Sequence, residues 1–558
     1  MNQPPAPPSK LFIRSEVLAV VEFLTVVENP PKQDKLKQIK RLVSLEPKET
    51  VLAVLVKELQ RSNKPKELQT IAELLMEVGD IDALQDPLWQ VIKNPNATDE
   101  IKDAANLILH HLGDETDPDL YLEYLDDPQG LINRETERML EVSSSNPEAL
   151  IDFIDFIFSL PAEEQCNLIN SLQTDYQPDY LMNLYGPMIW SNPPRLSLEQ
   201  IIRNLGGTKA KRAALLLEDL SLYFAEDQEL TKLIRKSVNE LKLAGIYKPE
   251  AFDEYREELN QPHEMTLTTQ VHHCFATIPD GIGNQGMVFS RKKDNGDIVM
   301  MSVAVNDTHG IIDCFGFYQL SDTDFSRIIE KFHEESSKFN VPPEYCLQQL
   351  LSYERLNVSS RFRIPYEYTC WKVLMDDVAY EPDQSIPQCQ EWANDAWQDQ
   401  TANLYQHPDF SSWFLEREDH PLAAPWLDQA VQEAQKLYLA KVSTSEVMEA
   451  LDQLAGGMMK ELMATDWKLY FISRLANCAY LLHCQQTNTF ATLAATEVVR
   501  LLTTHPEEAS LYDSGFVRQY GRRCIEEELL RSIQEGRLNK EGTAFAEWVQ
   551  TLIQGWVP

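Results

Sequence analysis

Glu73-Leu74-Leu75-Met76-Glu77-Val78-Gly79-Asp80 and Leu107-Ile108-Leu109-His110-His111-Leu112-Gly113-Asp114 are the two stretches on which the fold turns. Each closes an apolar run with Gly-Asp. Each is followed by a second apolar run, Leu84, Leu88 and Val91-Ile92 in the first case, Leu120, Leu122 and Tyr124-Leu125 in the second. Each second run stops at a proline, in Asn94-Pro95 and Asp127-Pro128. The Gly-Asp pairs lie 34 residues apart and the prolines 33. Glycine closes a helix and proline halts one. A fixed period with one helix–turn–helix per unit predicts stacked hairpins, because a single hairpin leaves its apolar side in water.

Outward from these stretches, apolar residues recur at helical spacing from residue 12 to residue 246. The breaks are short: Asn29-Pro30-Pro31, Glu46-Pro47, Lys64-Pro65, Asn146-Pro147 and Gly206-Gly207. Short breaks make neighbouring helices antiparallel. Within this region Thr98-Asp99-Glu100-Ile101-Lys102-Asp103-Ala104-Ala105-Asn106-Leu107 has an acidic start, a basic residue, a small-residue pair and then leucine. Gly207-Thr208-Lys209-Ala210-Lys211-Arg212-Ala213-Ala214-Leu215-Leu216 and residues 228–246 follow a similar plan. These pieces resemble the inner helix of HEAT repeats. The resemblance implies an armadillo-like α–α superhelical solenoid over residues 11–260, preceded by a Pro-rich arm at 1–10. It also implies a binding scaffold, and it brings no catalytic residues.

Near residue 266 the period changes. Residues 271–278, 285–291, 297–305 and 311–318 read as strands, rich in β-branched and aromatic side chains. Asp294-Asn295-Gly296 is a hairpin turn, since Asn-Gly accepts positive φ. Asp280-Gly281-Ile282-Gly283-Asn284 and Asn306-Asp307-Thr308-His309-Gly310 are the other turns. Helices are expected over 321–339, capped by Ser321 with Asp324, and over 342–358. Residues 266–380 are therefore expected to form a small α+β module with a four-stranded antiparallel meander. The helical period returns over 388–558, with a Ser443/Glu446 capping box and seven of the ten tryptophans. Gly456-Gly457 is expected to kink one of these helices.

The chain carries 87 acidic against 50 basic residues, a net charge of −37. That field disfavours nucleic acid and anionic lipid and favours basic or amphipathic protein partners. Lys35, Lys37, Lys40 and Arg41 form the one short basic patch, read as the wet face of a helix whose Leu36, Ile39 and Val43 point inward. The nine scattered cysteines contain no CxxC and read as reduced thiols of a cytoplasmic protein. No run of 18 apolar residues spans a membrane, and the Pro-rich start is not a signal peptide.

The sharpest catalytic constellation is Asp307, His309 and Cys314, with Asn306 and Asp313 beside them. These are the residue types of an orienter, base and nucleophile. The plainer reading makes the first two turn formers and Cys314 a small core side chain. His272 and His273 precede Cys274 on a strand, where alternation sends the two rings to opposite faces, so at most one joins a site. Cys478, His483 and Cys484 lack zinc spacing, and Cys478 and Cys484 fall on different helix faces. Residues 280–286 lack the register of a phosphate-binding loop and read as a β-turn. No cofactor, metal or small-molecule ligand is expected. The sequence thus points to a non-catalytic interaction scaffold. An enzyme or small-molecule binder built on residues 266–380, and a nucleic-acid-associated scaffold, are the alternatives.

Overall fold

The computed structural model describes residues 9–27, 30–114, 146–248, 269–332, 337–381, 385–505, 515–535 and 543–556, with scattered residues of 116–143 and Tyr512. The chain is mainly helical, with one small antiparallel sheet in its middle. The expected arm at 1–10 falls almost wholly outside the described residues.

Six helices open the chain: α1 (Lys10–Val26), α2 (Lys32–Val43), α3 (Lys48–Leu59), α4 (Pro65–Val78), α5 (Ile81–Ile92) and α6 (Asp99–His111). α1 packs on α3 and α3 on α5, while α2 packs on α4 and α4 on α6. The two Gly-Asp pairs do different work. Asp80 caps α5, accepting from the Ala83 backbone N–H at 2.9 Å. Asp114 reaches back to α5 instead, accepting from Trp89 Nε1 at 3.0 Å and Gln85 Nε2 at 3.2 Å. The segment after it is a 3-10 turn, Pro118–Tyr124, so the second unit is not a copy of the first. The buried Lys102 donates to the Tyr124 carbonyl at 2.7 Å, and Asp99 accepts from the Asp126 and Asp127 backbone at 2.9 and 2.7 Å.

From residue 147 the described helices are α7 (Pro147–Ser159), α8 (Ala162–Asp175), α9 (Pro178–Trp190), α10 (Arg195–Gly207), α11 (Lys211–Tyr223) and α12 (Gln228–Leu243). Again alternate helices touch, α7–α9–α11 and α8–α10–α12. The apolar core divides within the region read from sequence as one array. Residues from Ile13 to Leu109 form a core of their own. The core of α7–α12 is continuous with that of the sheet and the C-terminal helices.

The sheet comprises β1 (Thr269–Ala276), β2 (Asn284–Lys293), β3 (Ile298–Asn306), β4 (Gly310–Leu320) and β5 (Phe339–Asn340), in the order β4-β3-β2-β1-β5. The four-strand meander is present, and β5 adds a fifth strand at the β1 edge. The helix expected over 321–339 is described only as Asp322–Phe332 (α13), and Phe339 pairs with Ala276 instead. α13 covers one face, burying Phe325 and Ile329 on Val288, Ile298 and Met300. The other face joins the main core. The β4 edge is blunted by side chains: Glu148 accepts from the Tyr318 N–H at 2.9 Å, and Asn357 pairs both ways with the Ile311 backbone. An exposed ladder is an aggregation hazard, and these contacts remove part of it.

After the sheet come α14 (Pro343–Ser360), α15 (Tyr366–Trp371) and α16 (Ser385–Trp392), and then the C-terminal helices, which include α17 (Ala423–Leu439), α18 (Thr444–Met463), α19 (Trp467–Cys484), α20 (Asn488–Thr503) and α21 (Gly515–Gln534). The Ser443/Glu446 capping box opens α18. α18 runs unbroken through Gly456-Gly457, against expectation. Gly457 has a packing reason to be glycine: a Cβ there would sit 2.4 Å from the Trp426 ring.

Candidate functional site

The three residues of the catalytic constellation each have a different partner. Cys314 lies opposite Val303 on the inner sheet face, in the core and 3% exposed. Burial, with the Glu367 and Asp313 carboxylates adding to it, pushes its thiol well above the ordinary value. A nucleophilic cysteine needs the opposite shift. His309 is exposed, its Nδ1 lying 3.1 Å from Asn306 Oδ1 and 3.0 Å from Thr308 Oγ1, with its ring against Phe362. Asp307 faces Arg474 of α19, which donates from Nη2 at 2.8 Å and from Nε.

Arg474 is the residue that sequence reasoning passed over. It is 3% exposed and also donates to the Gly281 carbonyl, which accepts from the Tyr520 hydroxyl at 2.9 Å. Burial opposes its charge most, but Asp307, with Tyr520 and Asp280 adding to it, holds the guanidinium above its ordinary value. The Asp280–Asn284 segment is thus a β-turn, as its sequence indicates, and it is also where the C-terminal helices grip the sheet. Trp413 Nε1 adds a bond of 2.8 Å to the Pro279 carbonyl. The available signal was a lone arginine in the apolar run of α19, where a buried cation requires a carboxylate elsewhere in the chain.

The histidine pair is a correction. A register shift between Val271 and His273 interrupts alternation on β1, and both rings lie by Phe325, at 5.3 and 6.2 Å. A bulge turns two successive side chains toward one side. His483 stacks on Trp392 at 4.0 Å, while Cys478 is buried and Cys484 exposed. Among the described residues no group of His, Cys, Asp or Glu is arranged to hold a metal ion, and no helix is long and apolar enough to cross a membrane.

The basic patch also needs correcting. On α2 the buried positions are Ile39 and Leu42, while Leu36 and Val43 face outward at 42% and 60% exposure. Both sets obey helical spacing, and the packing of α2 on α4 selects the first. Lys35 turns toward α4 and pairs with Glu73 at 2.7 Å. Arg41 pairs with Glu16.

Lys35 belongs to the concave feature that best fits a binding site. A cavity of about 380 Å³ opens between α2 and α4. Its apolar lining includes Leu24, Ile39 and Leu74, and its polar lining includes Lys66, Gln69, Glu73, Glu77 and His111. Gln319 at the end of β4 also lines it, so it is bounded by both the first helices and the sheet. Polar contacts hold those two sides together. α2 has no side-chain cap of its own, and Asp297 of the β2–β3 hairpin accepts from the Lys32 N–H at 3.0 Å. Gln319 Nε2 donates to Asp297 at 2.6 Å and to the Pro30 carbonyl at 3.5 Å. Lys32 Nζ donates to the Gln319 carbonyl at 3.4 Å and lies 3.8 Å from Asp324. A free helix N-terminus presents unpaired N–H groups and positive potential, which a carboxylate satisfies. Compared with models of known protein families and with curated proteins, the chain matches none.

Proposed function

We propose that the protein is a non-catalytic interaction scaffold whose first helices form a HEAT-like α–α solenoid and whose α2–α4 groove receives a segment of a protein partner. The single observation that carries this reading is the groove's lining. Apolar side chains at Leu24, Ile39 and Leu74 are joined by cations and carboxylates within one concave space. Binding sites pair a concave apolar surface with a few convergent polar groups. An amphipathic partner segment fits that chemistry, with an apolar side chain inward and charges against Lys66, Glu73 and Glu77. The alternate packing α1–α3–α5 and α2–α4–α6 supports the solenoid, because stacked hairpins make contacts of that order. The raised thiol of Cys314 and the engaged carboxylate of Asp307 count against catalysis by that set.

The test is affinity purification of the full chain from its own cells beside the variant Lys66→Glu/Gln69→Lys, which changes two exposed groove residues. A stoichiometric partner retained by the native chain and lost by the variant is expected. A partner retained equally by both moves binding away from the groove.

A further inference from the structure

We propose that the outward face of α1 is a self-association surface, on which a second copy of this chain docks antiparallel about a two-fold axis. α1 buries Ile13, Val17, Val20, Val21 and Leu24. Its opposite side carries Leu11, Ser15, Leu18, Glu22 and Val26, spaced 4, 3, 4 and 4 residues apart. That spacing makes one stripe on a helix. Leu11 is 80%, Leu18 37% and Val26 71% exposed, with Phe12 at 50% beside them. Of 19 large apolar side chains exposed among the described residues, six lie on α1 and α2.

Two observations select a second copy as the occupant. First, the stripe is complementary to itself when reversed. Aligned antiparallel about its midpoint, Leu11 meets Val26 of the second copy, Ser15 meets Glu22, and Leu18 meets Ala19. Ser15 then has a carboxylate acceptor, and Arg14 lies one position from Glu22 of the second copy. Self-complementary patches generate closed two-fold dimers. Second, residues 1–66 hold 12 of the 50 basic residues and only 7 of the 87 acidic ones. They carry +5 against −42 over the rest of the chain. This end is therefore where two copies of a −37 chain meet with least repulsion. A helix of 17 residues gives a small contact, and small contacts make reversible dimers.

Sedimentation velocity of the full chain over roughly 1–100 μM tests this. The expected result is a monomer–dimer equilibrium that tightens several-fold from 30 to 300 mM salt, because salt screens the repulsion between net-negative copies. Leu18→Glu at the centre is expected to weaken the dimer at least tenfold, and Leu243→Glu, on an exposed site of α12, to leave it unchanged. Arg14→Glu and Glu22→Arg are each expected to weaken it, and the two together to restore it, which reads the antiparallel register directly. A chain monomeric throughout overturns the proposal, as does a dimer indifferent to Leu18→Glu. A dimer that loosens with salt also overturns it, and points to the basic end resting on an acidic surface.

Discussion

Arg474 and Asp307, 167 residues apart in sequence, face each other as a buried ion pair at the junction of α19 with the β3–β4 turn. Each neutralises a charge that the junction would otherwise bury alone. Removing one partner of such a pair costs on the order of 3–5 kcal/mol, because the other stays desolvated. Asp307→Asn is expected to destabilise the chain by roughly 3 kcal/mol, near the lower bound because Asp307 keeps 12% of its side-chain surface in water. Arg474→Leu/Asp307→Leu is expected to cost less than the sum of the single changes. Urea midpoints of the four proteins complete the cycle, and strict additivity would show that the pair does not hold the junction.

Thiol chemistry separates scaffold from enzyme. Cys484 is exposed and Cys166 partly so, whereas Cys314 is buried with its thiol pushed up. Iodoacetamide at pH 8 followed by peptide mass mapping is expected to label Cys484 and Cys166 in the native protein. Cys314 is expected to be labelled only after unfolding. Rapid native labelling of Cys314 would revive catalysis by residues 307–314.

Gly456 and Gly457 are expected to respond in opposite directions. A Cβ at Gly456 meets nothing within 4 Å. Gly456→Ala therefore gains helix propensity, about 0.5–1 kcal/mol. Gly457→Ala drives a methyl into Trp426 and is expected to cost about 1–3 kcal/mol. Thermal melts of the two variants decide, and like signs would contradict the packing of α17 on α18.

Acid is expected to unfold the first core before the rest. Burial opposes charge at Asp99 and Asp114, but their hydrogen bonds win and hold both below the ordinary 3.8. A carboxyl lowered on folding contributes stability above pH 3.8, and that stability is lost as pH falls through its folded value. Beyond that core, Glu199, Asp227, Asp324, Glu418 and Asp452 are also lowered, but they are set against Asp152, Asp280, Glu367, Asp419 and Glu526, which are raised chiefly by burial. Their protonation on folding adds stability as pH falls through their raised values toward the ordinary 3.8 and 4.5. Brief pepsin digestion at successively lower pH is expected to cut residues 10–114 first. First cuts within residues 385–535 would reverse the assignment.

Asp297 is a helix cap supplied from another part of the chain. Asp297→Ala is expected to cost about 1 kcal/mol, the usual loss when a cap is removed. Hydrogen exchange should localise the change to residues 32–36 and to Gln319. Unaltered exchange in α2 would show that the contact does not hold the helix.

Local chemistry was legible in the sequence, and distant partnership was not. The strands at 285–291 and 297–305, the Asp294-Asn295-Gly296 turn and the capping box at Ser443 were readable because each is encoded within a few residues. β5 was not, because two residues carry no period and its pairing comes from β1. The bulge at His272 was hidden because strict alternation was the only local rule at hand. Leu36 and Val43 fit an inward stripe as well as Ile39 and Leu42 do, and only α4 chooses between them. The break between the two cores was invisible for the same reason: an apolar stripe states that a helix is covered, not by what. Arg474 could be flagged as an anomaly, but its answer at Asp307 required the fold.

The borrowed cap on α2 also imposes an order of events as the chain is made. Residues 13–109 contain every buried apolar side chain of their own core, with Leu112, Tyr121 and Tyr124 packed on it, so that unit can close while the remainder is still in the ribosome. Lys32 then waits for a carboxylate 265 residues further on. At about 5–20 residues per second the 173 residues from Tyr124 to Asp297 take roughly 9–35 s. Throughout that wait the α2–α4 groove lacks its Gln319 wall, and the N-terminus of α2 stays open to any other anion. A nascent chain therefore passes through a stage in which this end is folded, close to neutral and unlatched.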